Sequence, residues 1–388
     1  MDSRERMRLA LNHKESDRVP IDFAGTGVTS ICYRAYDDLR SHLHFAPRGY
    51  RPEDLGGGAW GGVVTPHVDV YDRLRSDVMM VCMSDPDSWK LRIRYEDEFD
   101  TYVDEWGTTL MRAKGGHYFD YRLFPVKEGT VEAVKAWKHW PDPSDPGRWR
   151  GFRERCLAAR NTGRAVTAFS VFGGGIFEQP ARIMPMEEYY AGIASDHAFS
   201  DLILGRMFDI YCEATVRMLE EVGDILDVWV YWDDMSGQDG PLVSPEWVRR
   251  HLMPLHRRLF DKVKSMSKAK IFFHCCGAAR PWIPYLIDVG VDILNPVQTS
   301  ATGMDPAALK RDFGKEIVFW GGGCNPQGTL AFGTPHQVAD EVRRNINALA
   351  PGGGFVLANV HNIQNAVPPA NICSMFDTCY DYGVYRRS

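Results

Sequence analysis

Long apolar runs are absent from this 388-residue sequence, since none approaches the 18 consecutive apolar residues that span a membrane. An excess of one charge is also missing, because 45 lysines and arginines stand against 51 acidic residues, a formal net charge of −6. That balance argues against a protein that binds nucleic-acid phosphates. Residues 1–8 are charged and lack the apolar stretch of a secretory signal. These absences predict a soluble, cytoplasmic protein with neither nucleic acid nor membrane as a partner.

A disulfide framework and the common nucleotide motifs are missing as well. The nine cysteines are an odd number scattered along the chain, which predicts reduced thiols. Gly173, Gly174 and Gly175 are not followed by the third glycine of a dinucleotide-binding loop, and no P-loop pattern occurs. Dinucleotide and P-loop functions therefore have no motif support.

What the sequence does contain is a regular alternation of short apolar runs and amphipathic stretches. Several runs are almost continuously apolar, as strands buried on both faces are. The runs cover 19–23, 77–82, 165–172, 227–234, 269–276, 291–297, 316–320 and 354–360. Eight strand–helix alternations predict an α/β fold, a (β/α)8 TIM barrel in a single domain over residues 1–388. An open doubly wound sheet is the alternative.

The interval between the second and third runs is too long for one helix. Residues 90–113 alternate as paired strands do, with Trp106 and Gly107 as a turn candidate. We therefore predict a β-hairpin insertion after the second strand, on the rim of the barrel and within residues 88–150.

Metal-binding residue types stand at the predicted strand ends, where barrel active sites lie. His274 and Cys276 are two residues apart on the fifth run and point to one face, while Cys324 follows the seventh run. Alternate strands contribute to the same layer of a barrel, so these three residues are predicted ligands of one ion, Zn²⁺ for preference. Cys275 is predicted to point away. The alternative is that these cysteines pack as small apolar groups.

Acidic residues and one histidine complete the candidate site. Asp233 and Asp234 are adjacent on a strand, so at most one of them faces the barrel mouth. The inward one is a candidate metal ligand, a partner of His274 or a general acid–base group, and an acidic helix cap is the alternative. Asp85, Glu178 and His361 are further candidate catalytic residues at strand ends.

Four groups of residues match the motifs of one superfamily. They are Arg6…Ala10-Leu11-Asn12-His13-Lys14…Asp17-Arg18-Val19-Pro20, Asp233-Asp234…Gln238…Gly240-Pro241-Leu242…Ser244-Pro245, Phe273-His274-x-Cys276-Gly277 and Val360-His361-Asn362-Ile363-Gln364…Val367-Pro368-Pro369…Asn371-Ile372. On these motifs the chain resembles the uroporphyrinogen decarboxylase superfamily over nearly its whole length. The resemblance implies a (β/α)8 barrel.

The chain is similar in particular to the corrinoid-linked zinc methyltransferase branch, which has His-x-Cys at the fifth strand and a later cysteine. His274, Cys276 and Cys324 match those positions by residue type. The resemblance implies Zn²⁺, cobalamin supplied by a corrinoid carrier protein, a homodimer, and a small thiol or a methoxy or otherwise methylated substrate.

The decarboxylase branch carries an arginine-bearing motif just after the first strand. Residues 22–27 read Asp-Phe-Ala-Gly-Thr-Gly and contain no arginine. Asp85 and His361 fall where that branch has a central aspartate and a late histidine, so the alternative is a metal-independent lyase that uses these two residues. A non-enzymatic binder of a corrinoid or tetrapyrrole is a third possibility.

Overall fold

Eight short parallel strands form the centre of the protein, in a computed structural model that describes residues 1–385. They are β1 (Ile21–Asp22), β2 (Val78–Met80), β3 (Ala165–Phe169), β4 (Val228–Trp232), β5 (Lys270–His274), β6 (Ile293–Asn295), β7 (Val318–Trp320) and β8 (Phe355–Ala358). Their order around the sheet is β1-β8-β7-β6-β5-β4-β3-β2, with every neighbouring pair parallel. Each strand lies within one of the predicted apolar runs.

The two ends of this sheet meet at Asp77, the residue before β2. The Asp77 amide donates to the carbonyl of Ile21 in β1 at 2.7 Å, and the Asp77 carboxylate accepts from the Ile21 amide at 2.9 Å. The same fully buried carboxylate also accepts from the guanidinium groups of Arg6 and Arg18. These bonds close the sheet, so the TIM-barrel prediction is confirmed and the open sheet is excluded.

Side chains alternate between the barrel interior and the surrounding helices, as strand geometry requires. Val228, Val230 and Trp232 of β4 belong to the interior cluster, whereas Trp229 and Tyr231 pack outward under the helices. The same alternation on β5 turns Phe272 inward and Phe273 outward. The direction of each strand-end residue follows from this register.

Helices cover the outside of the barrel and close its lower end. The α-helices are Ser3–Ala10, Tyr33–His42, Val68–Arg73, Val131–Ala136, Pro146–Trp149, Phe152–Arg160, Pro180–Ile183, Met186–Ser195, His197–Val222, Pro245–Trp247, Met253–Met266, Ile283–Asp288, Pro306–Phe313, Thr329–Phe332, Pro335–Leu349 and Pro369–Tyr382, with 3-10 turns at Pro52–Trp60 and Arg280–Trp282 and a π turn at Val248–Leu252. The first helix places Met7 and Ala10 in the interior cluster. Within residues 1–385, every helix falls short of the length and apolarity needed to cross a bilayer.

The insertion after β2 is larger than a single hairpin. Its strands Arg94–Tyr95, Phe99–Val103, Thr109–Ala113 and Asp120–Leu123 form a four-stranded antiparallel sheet. The predicted turn lies between its second and third strands, where Gly107 adopts φ +81°. The fourth strand lies beyond the predicted stretch 90–113; its four residues, Asp-Tyr-Arg-Leu, do alternate polar and apolar, but the run is short and three of the four are exposed. A separate two-stranded sheet pairs Ile31–Cys32 with Val63–Val64.

Candidate functional site

The imidazole of His274 is held in one tautomer at the end of β5. Its Nδ1 lies 2.5 Å from Oδ1 of Asn295, the last residue of β6. The Asn295 amide nitrogen donates to the carbonyl of Trp320 at 2.8 Å, which fixes the amide with its oxygen toward the imidazole. Nδ1 of His274 must therefore carry the proton, and Nε2 is left with a free lone pair. A carbonyl-type oxygen on the far nitrogen of a histidine is the usual arrangement for a metal ligand.

The imidazole that carries this lone pair is one of three potential metal-donor groups that lie together. His274 Nε2 lies 3.2 Å from Sγ of Cys276, and His361 joins them, with one donor atom from each residue within 4.8 Å of the others. His361 follows β8, and its ring centroid lies 5.7 Å from that of His274. Two imidazoles and a thiolate are ligands that zinc prefers, and three protein ligands leave a coordination position open.

The electrostatics of the two histidines suit metal binding. Burial, reinforced by the nearby His361, lowers the pKa of His274 to about 3. Burial also lowers the pKa of His361. Both imidazoles are therefore neutral near pH 7, as metal ligands must be.

Cys276 lies in an acidic environment. Its amide donates to Oδ1 of Asp234 at 2.7 Å, and the Asp234 amide in turn donates to Oε2 of Glu178 at 3.3 Å. Burial, together with the charge of Glu178, raises the pKa of Asp234 to about 8. Burial and the adjacent Asp234 raise the pKa of the Cys276 thiol well above its usual range. A cation beside the sulfur is therefore needed to ionise Cys276 at neutral pH.

Asp233 does not face the barrel mouth, which corrects its prediction as a catalytic residue. Its buried carboxylate points outward and accepts from the amides of Phe177 and Glu178, from the Tyr231 hydroxyl and from His256. The cause is the alternation on β4, which turns Asp233 outward after the inward Trp232. Asp233 therefore holds the loop that carries Glu178, while Asp234 faces Cys276.

Cys324 lies outside the donor cluster, which corrects its prediction as the third ligand. Its side chain contacts Glu341 of the helix Pro335–Leu349, and the amide of the next residue donates to the same carboxylate at 2.8 Å. Between β7 and Cys324 the chain turns through Gly321 and Gly322, at φ +126° and +67°. Those left-handed residues redirect the backbone, so the strand register no longer sets where Cys324 points.

A cavity of about 420 Å³ lies above the barrel mouth, and Asp85 lines it. Its inner wall includes Trp232, which pairs in register with His274, and Asn362, which follows His361. The turn of the insertion that contains Trp106 forms part of the outer wall. None of the three donors lines the cavity itself, but Trp232 and Asn362 in its wall are their neighbours in register or along the chain, and residues of the insertion form another part of that wall.

Comparison with protein-family profiles assigns this chain to a family. The profile of uroporphyrinogen decarboxylase (URO-D) matches residues 128–382, about two-thirds of the chain. The chain belongs to the URO-D family. No curated protein sequence matches it.

Solved structures resemble this URO-D family member at low sequence identity. A methyltransferase from Methanosarcina mazei has a TM-score of 0.63 at 12% identity, covering 98% of this chain and 99% of that chain. A cyclic α-maltosyl-(1→6)-maltose hydrolase from Arthrobacter globiformis has a TM-score of 0.42 at 12% identity, covering 95% of this chain and 82% of that chain. At such identities the first likeness shows the fold alone.

Three groups at the site were not predicted from the sequence of this URO-D family member. Asn295 ends β6 and lies inside the predicted run 291–297; a polar residue near the end of an apolar run is the signal that could have identified it as a partner of His274. Arg182 and Glu105 line the cavity, and each belongs to an ion pair, with Glu178 and Arg148 respectively. The Glu105–Arg148 pair joins residues 43 positions apart, so no local pattern reveals it, whereas Glu178 and Arg182 have the i,i+4 spacing of a helical ion pair, a signal that the sequence did offer.

Proposed function

We propose that this protein is a zinc-dependent methyltransferase that exchanges a methyl group between a small substrate and a corrinoid on a separate carrier protein. The observation that carries the proposal is the cluster of His274, Cys276 and His361, in which Asn295 fixes the free lone pair of His274. The similarity in fold to a methyltransferase over nearly the whole chain supports the same activity.

The three donors fit a zinc ion, and His274, Cys276 and His361 would hold it. When bound, zinc supplies a positive charge that keeps a substrate thiol ionised near neutral pH or polarises a methoxy oxygen. The chain's own residues orient this site: Asn295 keeps Nε2 of His274 free, and the Asp234 carboxylate anchors the backbone of Cys276. The cavity, whose wall includes the neighbours Trp232 and Asn362 of these ligands, would provide the space for the substrate.

The lyase alternative, with Asp85 and His361 acting without metal, is less well supported. A polycarboxylate substrate needs cationic side chains to bind its charges. The arginines that line the cavity, Arg148 and Arg182, are already paired with Glu105 and Glu178. Breaking those pairs would leave the half-buried carboxylates of Glu105 and Glu178 uncompensated, which is costly.

The proposal is tested on the purified protein by elemental analysis and by following the absorbance of free methylcobalamin in the presence of a thiol such as 2-mercaptoethanol. We expect about one zinc per chain, as for a three-ligand catalytic site. A chelator should remove both the metal and the demethylation of methylcobalamin, and added zinc should restore both. Full activity in metal-free protein, or release of CO2 from a tetrapyrrole or aromatic acid that resists chelators, would contradict the proposal.

Replacing Asn295 with alanine tests how the cluster is positioned. Loss of the hydrogen bond to Nδ1 of His274 is expected to lower zinc affinity by about 10- to 100-fold, because such partners orient the imidazole. Zinc affinity is measured by competition with a chromophoric chelator. Asn345→Ala is the matched control, since Asn345 is a buried amide that donates to the Gly322 carbonyl instead. Equal losses in both variants would show that Asn295 acts only through general stability.

A further inference from the structure

Partly exposed aromatic rings face the cavity that lies above the barrel mouth. Trp60, Trp89, Tyr121 and Phe169 line it, and each keeps part of its surface accessible. Phe169 packs on Trp232 with the ring centroids 5.7 Å apart and 34° between the planes. Ligand cavities are commonly lined by such rings, and flat aromatic ligands pack on them in offset or edge-on geometry. The wall therefore suits a planar ring.

The guanidinium of Arg182 lies against two of these rings. Its Cζ atom is 5.4 Å from the ring centroid of Trp60 and 5.8 Å from that of Tyr121. Nη2 donates to Oε1 of Glu178, and the side chain, which lines the cavity, is 13% exposed. A guanidinium carries five N–H groups, so the ion pair and the ring contacts leave N–H groups for a further acceptor.

Gly173, which follows β3, leaves a gap beside this guanidinium. A Cβ atom on Gly173 would lie 3.2 Å from Nη1 of Arg182 and 3.2 Å from Cζ2 of Trp232. Gly173 lines the cavity, and its φ lies outside the left-handed region, so the backbone does not require glycine at this position. The missing side chain therefore leaves room for a ligand atom between Nη1 and the Trp232 ring.

The charges around this gap favour an uncharged oxygen atom. A carboxylate there would share the guanidinium with Glu178, and two carboxylates on one cation repel each other. An ammonium group would be repelled by Arg182 itself. A hydroxyl, ether or carbonyl oxygen can accept from Nη1 while the pair between Arg182 and Glu178 stays intact.

We infer that the cavity binds an uncharged aromatic compound, with its ring against the aromatic wall and an oxygen substituent that accepts from Arg182 in the gap at Gly173. The inference rests on the proposed function and names its substrate class, because the aromatic ring then carries the oxygen or sulfur atom that exchanges the methyl group. Trp232, beside the gap, is also the register neighbour of His274. An aliphatic substrate fits the same space but gains no stacking on the wall.

Calorimetry of 3-methoxyphenol binding to the purified protein, without added zinc or corrinoid, tests the inference. One matched probe is 3-methoxycyclohexan-1-ol, which has a saturated ring, and the other is 3-methoxytoluene, in which a methyl group replaces the hydroxyl. We expect 3-methoxyphenol to bind about fivefold more tightly than the saturated alcohol, because ring packing is lost. It should bind at least about tenfold more tightly than 3-methoxytoluene, because a hydrogen bond to a charged group is lost. Absence of binding, or equal binding of either matched probe, would overturn the inference.

Gly173→Ala tests whether Arg182 supplies the preference for oxygen. The added Cβ fills the gap and blocks Nη1, so the preference for 3-methoxyphenol over 3-methoxytoluene should be lost. Gly58→Ala is the matched control, because Gly58 also lines the cavity but its Cβ would make only an ordinary contact, 3.7 Å from the carbonyl of Val63. A preference that survives in Gly173→Ala would show that the oxygen does not bind at this gap and would overturn the inference.

Binding and methyl transfer fail separately in these experiments. Binding of 3-methoxyphenol needs neither zinc nor corrinoid, so selective binding without any methyl transfer contradicts the proposed function alone. Zinc-dependent methyl transfer by a protein that does not prefer the aromatic probe overturns this inference alone.

Discussion

Replacing Cys276 with serine is expected to abolish zinc binding and to slow methyl transfer by at least about a thousandfold. A serine hydroxyl is a poor substitute for the thiolate that zinc prefers. A metal ion stabilises developing charge by several kcal/mol. Since each 1.36 kcal/mol corresponds to a tenfold change in rate, a loss of about 4 kcal/mol gives this effect. Zinc content and the rate of methylcobalamin demethylation are measured on the same preparation.

Two further variants test whether zinc binding depends on the three residues that the structure brings together. His361→Ala should lose the metal as Cys276→Ser does, because His361 supplies the third donor. Cys324→Ser should keep both metal and activity, because the thiol of Cys324 contacts Glu341 instead. If Cys324 proves essential and His361 dispensable, the third ligand is Cys324, as the sequence motif predicts, and His361 is not a ligand.

Replacing Asp77 with asparagine is expected to lower the free energy of unfolding by about 3–5 kcal/mol, the usual result of breaking a buried ion pair. The fully buried Asp77 carboxylate bonds to Arg6, Arg18 and the amide of Ile21, where β1 meets β2. Asparagine keeps the shape of the side chain but removes the carboxylate charge that pairs with Arg18 and one of the two that pair with Arg6, whose other partner is Asp17. Urea unfolding followed by circular dichroism measures the change.

An exposed ion pair provides the control for Asp77. Glu5 pairs with Arg8 on the first helix, and both side chains are largely in solvent. Glu5→Gln should leave the unfolding midpoint close to that of the wild type, because exposed pairs contribute little. A similar small shift for Asp77→Asn would mean that the closure between β1 and β2 is not a principal support of the barrel.

The barrel could be predicted because the residue types of its strands reflect the burial of both strand faces. Runs such as Val228–Trp232 are apolar at every position, since one side faces the interior and the other the helices. The same two-residue period predicted that Asp233 and Asp234 point to opposite sides and that Cys275 points away from Cys276. The period does not say which aspartate faces the mouth, and the structure assigns that position to Asp234.

The third donor of the cluster could not be predicted in this way. His274 ends β5 and Cys276 lies two residues beyond it, so the two-residue period of the strand, continued past its end, places them on one face. Cys324 and His361 both follow strands, and what separates them is the path of the connecting backbone. The glycine turn after β7 leads Cys324 toward a helix, whereas His361 remains beside His274. Such a path depends on tertiary packing and has no local sequence signature.

The four-stranded insertion and the barrel strand ends contribute different parts of the candidate site in this URO-D family member. The proposed metal ligands stand on the ends of barrel strands or just beyond them, while Tyr102, Asp104 and Trp106 of the cavity wall come from residues 94–123. Exchange of that segment for one of different length or composition would therefore alter which compound is accepted and leave the reactive centre in place. Evolution of new substrate preferences in this scaffold is expected to proceed by such replacement of the insertion.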